Sequence, residues 1–380
     1  MKLIFRSRNS IKSAGGPAGY LYNLNEGLIN IGCDDIVFLP ESKKQEKERI
    51  KKIIPQKFLN FRDAYLLTQR SKVRINTPVE LSNYELIHFH STDELYQCRY
   101  DLQNYKGVVV LTSHSPCARH IELLNTLSQT EKKIFSKKLE SLEKIDLYAF
   151  KRADYIIFPC KEAEEPYYNT WMDYRSIRIE EKYRYLPTGI KQCFSTINKS
   201  QIREKYGIPQ DAFIICYVGR HNYIKGYDFL KEIGSELINE NIYFLIAGKE
   251  EPLQGLNNDH WIEIGWTSDP HSIISAADMF LLPNRETYFD LIMLEVLSLG
   301  QIVVASKTGG NKFFLKYNSD GIRLFETKKQ AIDLIKYFKD MEKCKKDELC
   351  RTNLKLFKDF FNDKKFAENY VQLINSLVLK

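Results

Sequence analysis

Short apolar runs alternate with longer segments of helical period along this chain, and that alternation restricts its fold more than any other feature. Lys2 to Phe5, Asp35 to Leu39, Glu85 to Phe89, Val108 to Thr112 and Tyr155 to Phe158 make one series. Phe213 to Val218, Ile242 to Ala247, Trp261 to Ile264, Met279 to Leu282 and Ile302 to Ala305 make a second. Such runs have the length of strands buried on both faces. Strands of that kind joined by helices lie parallel, with the helices covering the sheet. The expected fold class is therefore α/β, with one parallel sheet in each half. A polar stretch near 195–205 separates the series, and Leu186-Pro187-Thr188-Gly189-Ile190 has the Pro and Gly of a turn, which places the hinge there or slightly later. The expected division is 1–195, 196–362 and a terminal segment 363–380. Beyond Lys328 the pattern is one of charged amphipathic helices, with no repeat and no low-complexity run.

Composition narrows the function classes. At 380 residues the chain is long enough for two domains with sizeable cores. No apolar run approaches the roughly 18 residues of a membrane span, and charges interrupt the N-terminal MKLIFRSRNS after Phe5, so a cytoplasmic chain is expected. The eight cysteines (Cys33, Cys98, Cys117, Cys160, Cys193, Cys216, Cys344 and Cys350) show no C-x2-C spacing and read as reduced, mostly buried thiols. The net charge of +7 lies in the first half, where 31 Lys and Arg face 24 Asp and Glu. A basic half suits an anionic lipid surface or a phosphorylated substrate. No nucleic-acid module accompanies it, so nucleic acid is not an expected partner.

In open α/β sheets, ligands bind beyond the carboxyl ends of the strands. After the first strand comes Ser13-Ala14-Gly15-Gly16-Pro17-Ala18-Gly19, whose glycines let backbone approach a phosphate closely; an open connection is the plainer reading. Thr112-Ser113-His114 puts a histidine at another strand end, as Ile87-His88-Phe89-His90 does, although single histidines are more often structural. Gly219-Arg220-His221-Asn222-Tyr223-Ile224-Lys225-Gly226 holds two cations in a loop before a helix. Arg offers a fork and Lys a point charge to a diphosphate, unless the loop is merely solvated. From Pro283 to Gly300 a strand end leads through Glu286 and Asp290 into an apolar helix carrying Glu295. A carboxylate there can accept hydrogen bonds from a ribose, or can make an internal ion pair. No histidine or cysteine cluster suggests a metal.

Taken together, Gly219-Arg220 to Lys225-Gly226, Pro283 to Glu295 with Gly300, and Val303-Val304-Ala305-Ser306 with Gly309-Gly310 resemble the retaining glycosyltransferases of family 4. Ala153-Asp154 and Leu186-Pro187-Thr188-Gly189 extend the likeness more weakly. The resemblance implies a GT-B fold: two Rossmann-like domains with parallel sheets facing across a cleft, the acceptor on the first and a nucleotide-sugar, with UDP the leading base, on the second. It implies that the last helix returns to the first domain. It gives Arg220, Lys225 and His114 catalytic roles, with His114 against the donor sugar. Gly15, Gly16, Gly219, Glu286, Thr287, Tyr288, Phe289, Asp290, Leu291 and Glu295 become donor-binding, with Glu295 on the ribose and the 288–291 backbone along the sugar and phosphates. It implies no cofactor and no metal. Two departures stand out. The family's first Glu would fall at Thr287, with Glu286 one residue early, and Asp290 replaces a small residue, usually Gly, beside a phosphate.

The acceptor expected from the resemblance is a glycan, a lipid-linked glycan or a glycoprotein, in surface-glycan assembly. The basic runs Ser42 to Ile54 and Glu131 to Lys144 are solvated faces or a peripheral dock on the inner face of an anionic membrane. Tyr20, Tyr22 and Trp171 are candidates to stack on sugar rings. Rival readings are another GT-B chemistry, such as an epimerase or phosphorylase, and a non-catalytic sugar-binding or chaperone subunit of a glycosylation complex.

Overall fold

The computed structural model describes residues 1–6, 11, 16–40, 56–75, 77–238 and 240–378. Among these described residues, twelve strands form two six-stranded parallel sheets. The first contains β1 (Lys2–Phe5), β2 (Ile36–Phe38), β3 (Leu86–Phe89), β4 (Val108–Leu111), β5 (Tyr155–Phe158) and β6 (Tyr183–Tyr185), in the order β2-β1-β3-β4-β5-β6. The second contains β7 (Phe213–Val218), β8 (Ile242–Ala247), β9 (Trp261–Gly265), β10 (Met279–Leu282), β11 (Val303–Ser306) and β12 (Ile322–Phe325), in the order β12-β11-β10-β7-β8-β9. The ten expected runs are strands, within a residue or two at their ends. β6 and β12 escape the sequence pattern because they are edge strands of three and four residues, YRY and IRLF, whose polar residues break the apolar run.

The order of each sheet reverses once, between β1 and β3 in the first and between β7 and β10 in the second. A crevice opens at the carboxyl ends wherever neighbouring strands send their helices to opposite faces. The two loops that the sequence marks most strongly, 219–226 and 283–290, leave β7 and β10 at the second of these points. An Asp of an Ala-Asp pair anchors each sheet in the same way: Asp154 Oδ2 accepts from Val109 N and Asp278 Oδ2 from Ile214 N, each at 2.8 Å. Asp278 is held in turn by Lys199 and Arg203.

Two segments join the halves, and they run side by side: Ile190 N donates to Phe361 O at 2.8 Å, and Ile190 bridges Asn362. Beyond this crossing the helix Asp363–Val378 packs on the first sheet. It buries Phe366, Ala367, Tyr370, Ile374 and Leu377 against Leu24 and Leu28 of the helix Gly16–Asn30. Each large apolar side chain so buried contributes roughly 1.5–3 kcal/mol. The fit is close at Gly27, where a Cβ would lie 2.3 Å from the Asp363 carbonyl oxygen. One apolar cluster continues from the first sheet into the second, with the Tyr288 ring 5.4 Å from that of Phe158.

All eight cysteines are free. Cys98, Cys117, Cys160 and Cys216 are buried, Cys33, Cys193 and Cys350 are partly buried, and Cys344 is exposed, so the thiols are less uniformly interior than expected. Among the described residues no helix is long and apolar enough to cross a membrane.

Candidate functional site

The clamp loop is a built turn. Lys225 N donates to Asn222 Oδ1 at 2.9 Å, and Tyr217 Oη donates to the Arg220 carbonyl, also at 2.9 Å. Gly226 then takes φ +65 to start the helix Tyr227–Leu237, and a Cβ there would meet the Pro283 carbonyl oxygen at 1.8 Å. Arg285 N donates to Ile224 O at 3.0 Å. The loops after β7 and β10 therefore touch, and Arg220, Lys225 and residues 283–290 come together. Gly219 sits at the β7 end, its N–H bonded to Ala247 O at 3.0 Å. The Arg220 side chain is exposed, with no carboxylate partner among the described residues.

Lys225 is engaged. Its Nζ lies 2.6 Å from Asp290 Oδ2, and Asn284 Nδ2 donates to the same oxygen. Burial works to raise the Asp290 carboxyl pKa, but the Lys225 charge and hydrogen bonds from Lys225, Asn284 and Thr287 outweigh it and hold the group below its ordinary value. Asp290 thus points its carboxylate at Lys225. It precedes the helix Leu291–Ser298 without capping it through its side chain.

Elsewhere in this loop the side chains divide. Glu286 is half-buried, and burial together with the neighbouring Glu165 pushes its carboxyl up. Thr287 is 1% exposed and its carbonyl accepts from Gly310 N at 3.2 Å, so this side chain presents no open surface for a sugar. The Phe289 side chain is core, stacked on Phe314 at 5.6 Å, and leaves only its backbone to line a pocket. The Tyr288 ring packs across to the first half, and Leu291 is partly buried. Glu165 of the first half also reaches the second, accepting from Gly309 N at 3.3 Å and pairing with Lys312.

Glu295 is partly exposed, and its Oε2 lies 3.3 Å from His271 Nε2. Hydrogen bonds from the His271 ring to Cys193, first, and to Glu295 raise the imidazole pKa to about 10. The internal ion pair and an accessible carboxylate therefore coexist. His271 was not singled out from the sequence. The available signal was Asp269-Pro270, an N-cap followed by Pro at N1, which starts the helix Pro270–Ala276 just beyond a strand end. Trp266, 80% exposed at the carboxyl end of β9, is a second residue of this kind.

On the first sheet Gly16 opens its helix with φ +68, whereas Gly15 and the run 42–54 lie outside the described residues. His114 follows β4 with a left-handed φ of 58 and meets His90, whose Nδ1 lies 2.8 Å from His114 Nε2. Burial lowers the pKa of both rings well below the usual imidazole value, so they are neutral at pH 7. Two proposed stacking residues are corrected. Trp171 is 2% exposed within a cluster of Phe150 and Tyr174, its indole N–H bonded to Glu143 Oε1. Tyr20 is 6% exposed, wedged between His114 and Phe366. Both are aromatic core, while Tyr22 is partly exposed.

Residues 198–355 match the family model described as Glycosyl transferases group 1. A UDP-Gal:alpha-D-GlcNAc-diphosphoundecaprenol alpha-1,3-galactosyltransferase of Escherichia coli is 27% identical over 156 residues, 37% of this chain and 40% of that protein. The Escherichia coli O-antigen biosynthesis glycosyltransferase WclY is 25% identical over 189 residues, 47% of this chain and 51% of its own. The chain thus spans about half, or less, of these curated relatives. Among solved structures, sucrose-phosphate synthase from Thermosynechococcus elongatus superposes with TM-score 0.65 at 18% identity, covering 99% of this chain and 98% of that one. HepE from Anabaena, in complex with UDP-glucose, gives 0.65 at 14% identity, covering 99% and 100%. With two parallel sheets and neighbours along its whole length, the chain has the GT-B fold, and its residues 198–355 form a glycosyl transferases group 1 domain.

Proposed function

We propose that the protein is a retaining glycosyltransferase that moves a hexose or N-acetylhexosamine from a UDP-sugar to a hydroxyl of a glycan, lipid-linked glycan or glycoprotein in surface-glycan biosynthesis. The observation that carries this reading is the meeting of the Arg220–Lys225 loop with residues 283–290 at the switch point between β7 and β10, just before the helix that carries Glu295, inside the matched domain. The names of the relatives, a UDP-Gal-dependent enzyme, an O-antigen enzyme and a UDP-glucose complex, support the donor base and the pathway class.

In this mechanism Glu295 accepts hydrogen bonds from the ribose, leaving Oε2 braced by His271. As the sugar–diphosphate bond stretches, Arg220 and Lys225 take up the charge on the leaving group, and no metal is needed for that role. The acceptor hydroxyl attacks from the same face, its proton passing to the departing phosphate oxygen, so the protein supplies position and charge rather than a nucleophile. Membrane docking on the inner leaflet belongs to the same proposal. Phe58, Phe61, Tyr65 and Leu66 are exposed on the helix Gln56–Thr68, which packs beside the helix Gln129–Arg152 with its exposed Lys133, Lys137 and Lys138.

A second reading, a non-catalytic sugar-binding subunit, is favoured by one observation: Asp290 already neutralises Lys225. One experiment separates the two. UDP-, GDP- and ADP-sugars are tested by thermal shift and hydrolysis, with EDTA present, on the wild type and on Arg220→Ala. Transferase function predicts that a UDP-sugar stabilises and is slowly cleaved by the wild type, and that Arg220→Ala lowers the rate by about 100-fold or more. Absence of binding by the wild type and by Thr287→Glu favours the non-catalytic subunit.

A further inference from the structure

Beneath His114 lies a column of rings. His88 and His90 lie tilted with centroids 4.0 Å apart, His90 and His114 stack at 5.1 Å, and Tyr20 sets its ring edge against His114 at 4.6 Å. His88 is tied at both nitrogens, Nδ1 to Tyr370 Oη at 2.8 Å and Nε2 to Thr112 Oγ1 at 2.9 Å. His90 is tied only at Nδ1, to His114 Nε2; its own Nε2 is buried without a partner. The His114 Nδ1 has no hydrogen-bond partner among the described residues, and His114 as a whole is partly exposed.

Both rings are neutral, so one hydrogen lies between them, and it belongs to one ring or the other. If His114 donated, the His90 proton would sit on Nε2, as a buried N–H with no acceptor. That arrangement is rare, since an unmade buried donor costs about 1–3 kcal/mol. His90 therefore donates from Nδ1, His114 accepts at Nε2, and the single His114 proton stands on Nδ1, the nitrogen that does not face His90.

We infer that His90 is a positioning residue which fixes His114 as the Nδ1–H tautomer, so that His114 offers a hydrogen-bond donor to a hydroxyl oxygen of the transferred sugar. The sugar contact rests on the proposed function; the tautomer does not. Asn at position 90 keeps a donor where Nδ1 stands, whereas Asp supplies an acceptor that draws the His114 proton to Nε2.

The test is a ¹⁵N-histidine two-bond correlation spectrum of the ligand-free full-length protein, with hydrolysis of UDP-glucose measured in parallel. Expected are an Nδ1–H His114 in the wild type and in His90→Asn, with kcat/KM within about threefold of each other. In His90→Asp, His114 becomes Nε2–H and kcat/KM falls about tenfold or more, while affinity for UDP alone is unchanged. An Nε2–H His114 in the wild type overturns the assignment without any variant. An unchanged tautomer in His90→Asp overturns the control by His90. The expected tautomers together with no binding or cleavage of UDP-glucose overturn the sugar contact and the proposed function, and leave the tautomer standing.

Discussion

Replacing Asp290 with Asn should tighten UDP binding while weakening the ligand-free fold. In the free protein Asp290 Oδ2 sits 2.6 Å from Lys225 Nζ, with both side chains about one-fifth exposed. A diphosphate that claims Lys225 has to share this volume with a carboxylate. Two unit charges about 4 Å apart interact by about 4 kcal/mol at an effective dielectric near 20, a figure that solvent at a partly open site reduces. Allowing roughly half of it, Asp290→Asn should gain about 2 kcal/mol, or about 30-fold in the Kd for UDP. The proton balance gives an independent check. Lys225 holds the Asp290 carboxyl below its ordinary value in the free state; the diphosphate withdraws that cation and adds an anion, so the carboxyl rises on binding. Binding then takes up protons, and UDP affinity falls as pH rises between the free and bound values, a slope that Asp290→Asn abolishes. Stability runs oppositely. A depressed folded pKa contributes stability that is present above the unfolded value near 3.8 and lost as pH falls through the folded one, so the Asn variant loses Tm at pH 7 and progressively less as pH falls below 3.8. Calorimetric titration of UDP in buffers of different ionisation enthalpy measures both quantities. A Kd unchanged within twofold, or weakened, with the proton uptake intact, would refute the competition for Lys225.

The other predictions concern the elements around this pair. Because His271 is raised to about 10, its stabilising interaction is complete below pH 6.5 and disappears as pH rises toward 10; urea titrations at pH 6 and 9.5 should show this loss in the wild type and a flatter profile in His271→Asn. Glu295→Gln should weaken UDP by about tenfold and leave free phosphate binding unaltered, as read by competition. Gly226→Ala combines a left-handed φ with a Cβ 1.8 Å from the Pro283 carbonyl, so the two loops must part; a loss of about 2–4 kcal/mol in unfolding free energy is expected, with UDP binding impaired even below the new Tm.

Much of the fold was legible because it is written in the period of its apolar residues. Buried strands such as Phe213–Val218 are apolar at nearly every position, and no helix of a half-exposed layer shares that pattern. The edge strands were not legible, since Tyr183–Tyr185 needs only three residues and borrows its order from the Ile156↔Tyr183 pairing. The placement of Arg220 and Lys225 was legible for a related reason: Gly-Arg to Lys-Gly between a strand and a helix is a local arrangement, and local arrangements survive translation into structure. Glu295 with His271 was half legible. The carboxylate inside an apolar helix announced a partner, but the partner lies 24 residues upstream on another helix, and no periodicity links them.

Aromatic residues misled for a physical reason. Tyr20 and Trp171 have the chemistry of a sugar platform, yet a large ring contributes most when its apolar area is buried, and Trp171 also satisfies its indole N–H in the core, on Glu143. Asp290 shows the opposite case. Its position beside a phosphate site made it look like an error, an anion where none belongs. Under the proposed function, its place against Lys225 makes it an internal substitute for the anion to come, which keeps the lysine paired until a diphosphate displaces it. A clamp already neutralised is stable when empty and gives up affinity on filling, whereas a bare pair of cations would do the reverse. On the proposed function Arg220, left exposed and without a carboxylate partner among the described residues, is the cation that first meets the donor, and Lys225 the one that changes partner. That order makes a separable demand on the two residues: Arg220→Ala should slow UDP association, most at low salt, whereas Lys225→Ala should chiefly speed dissociation.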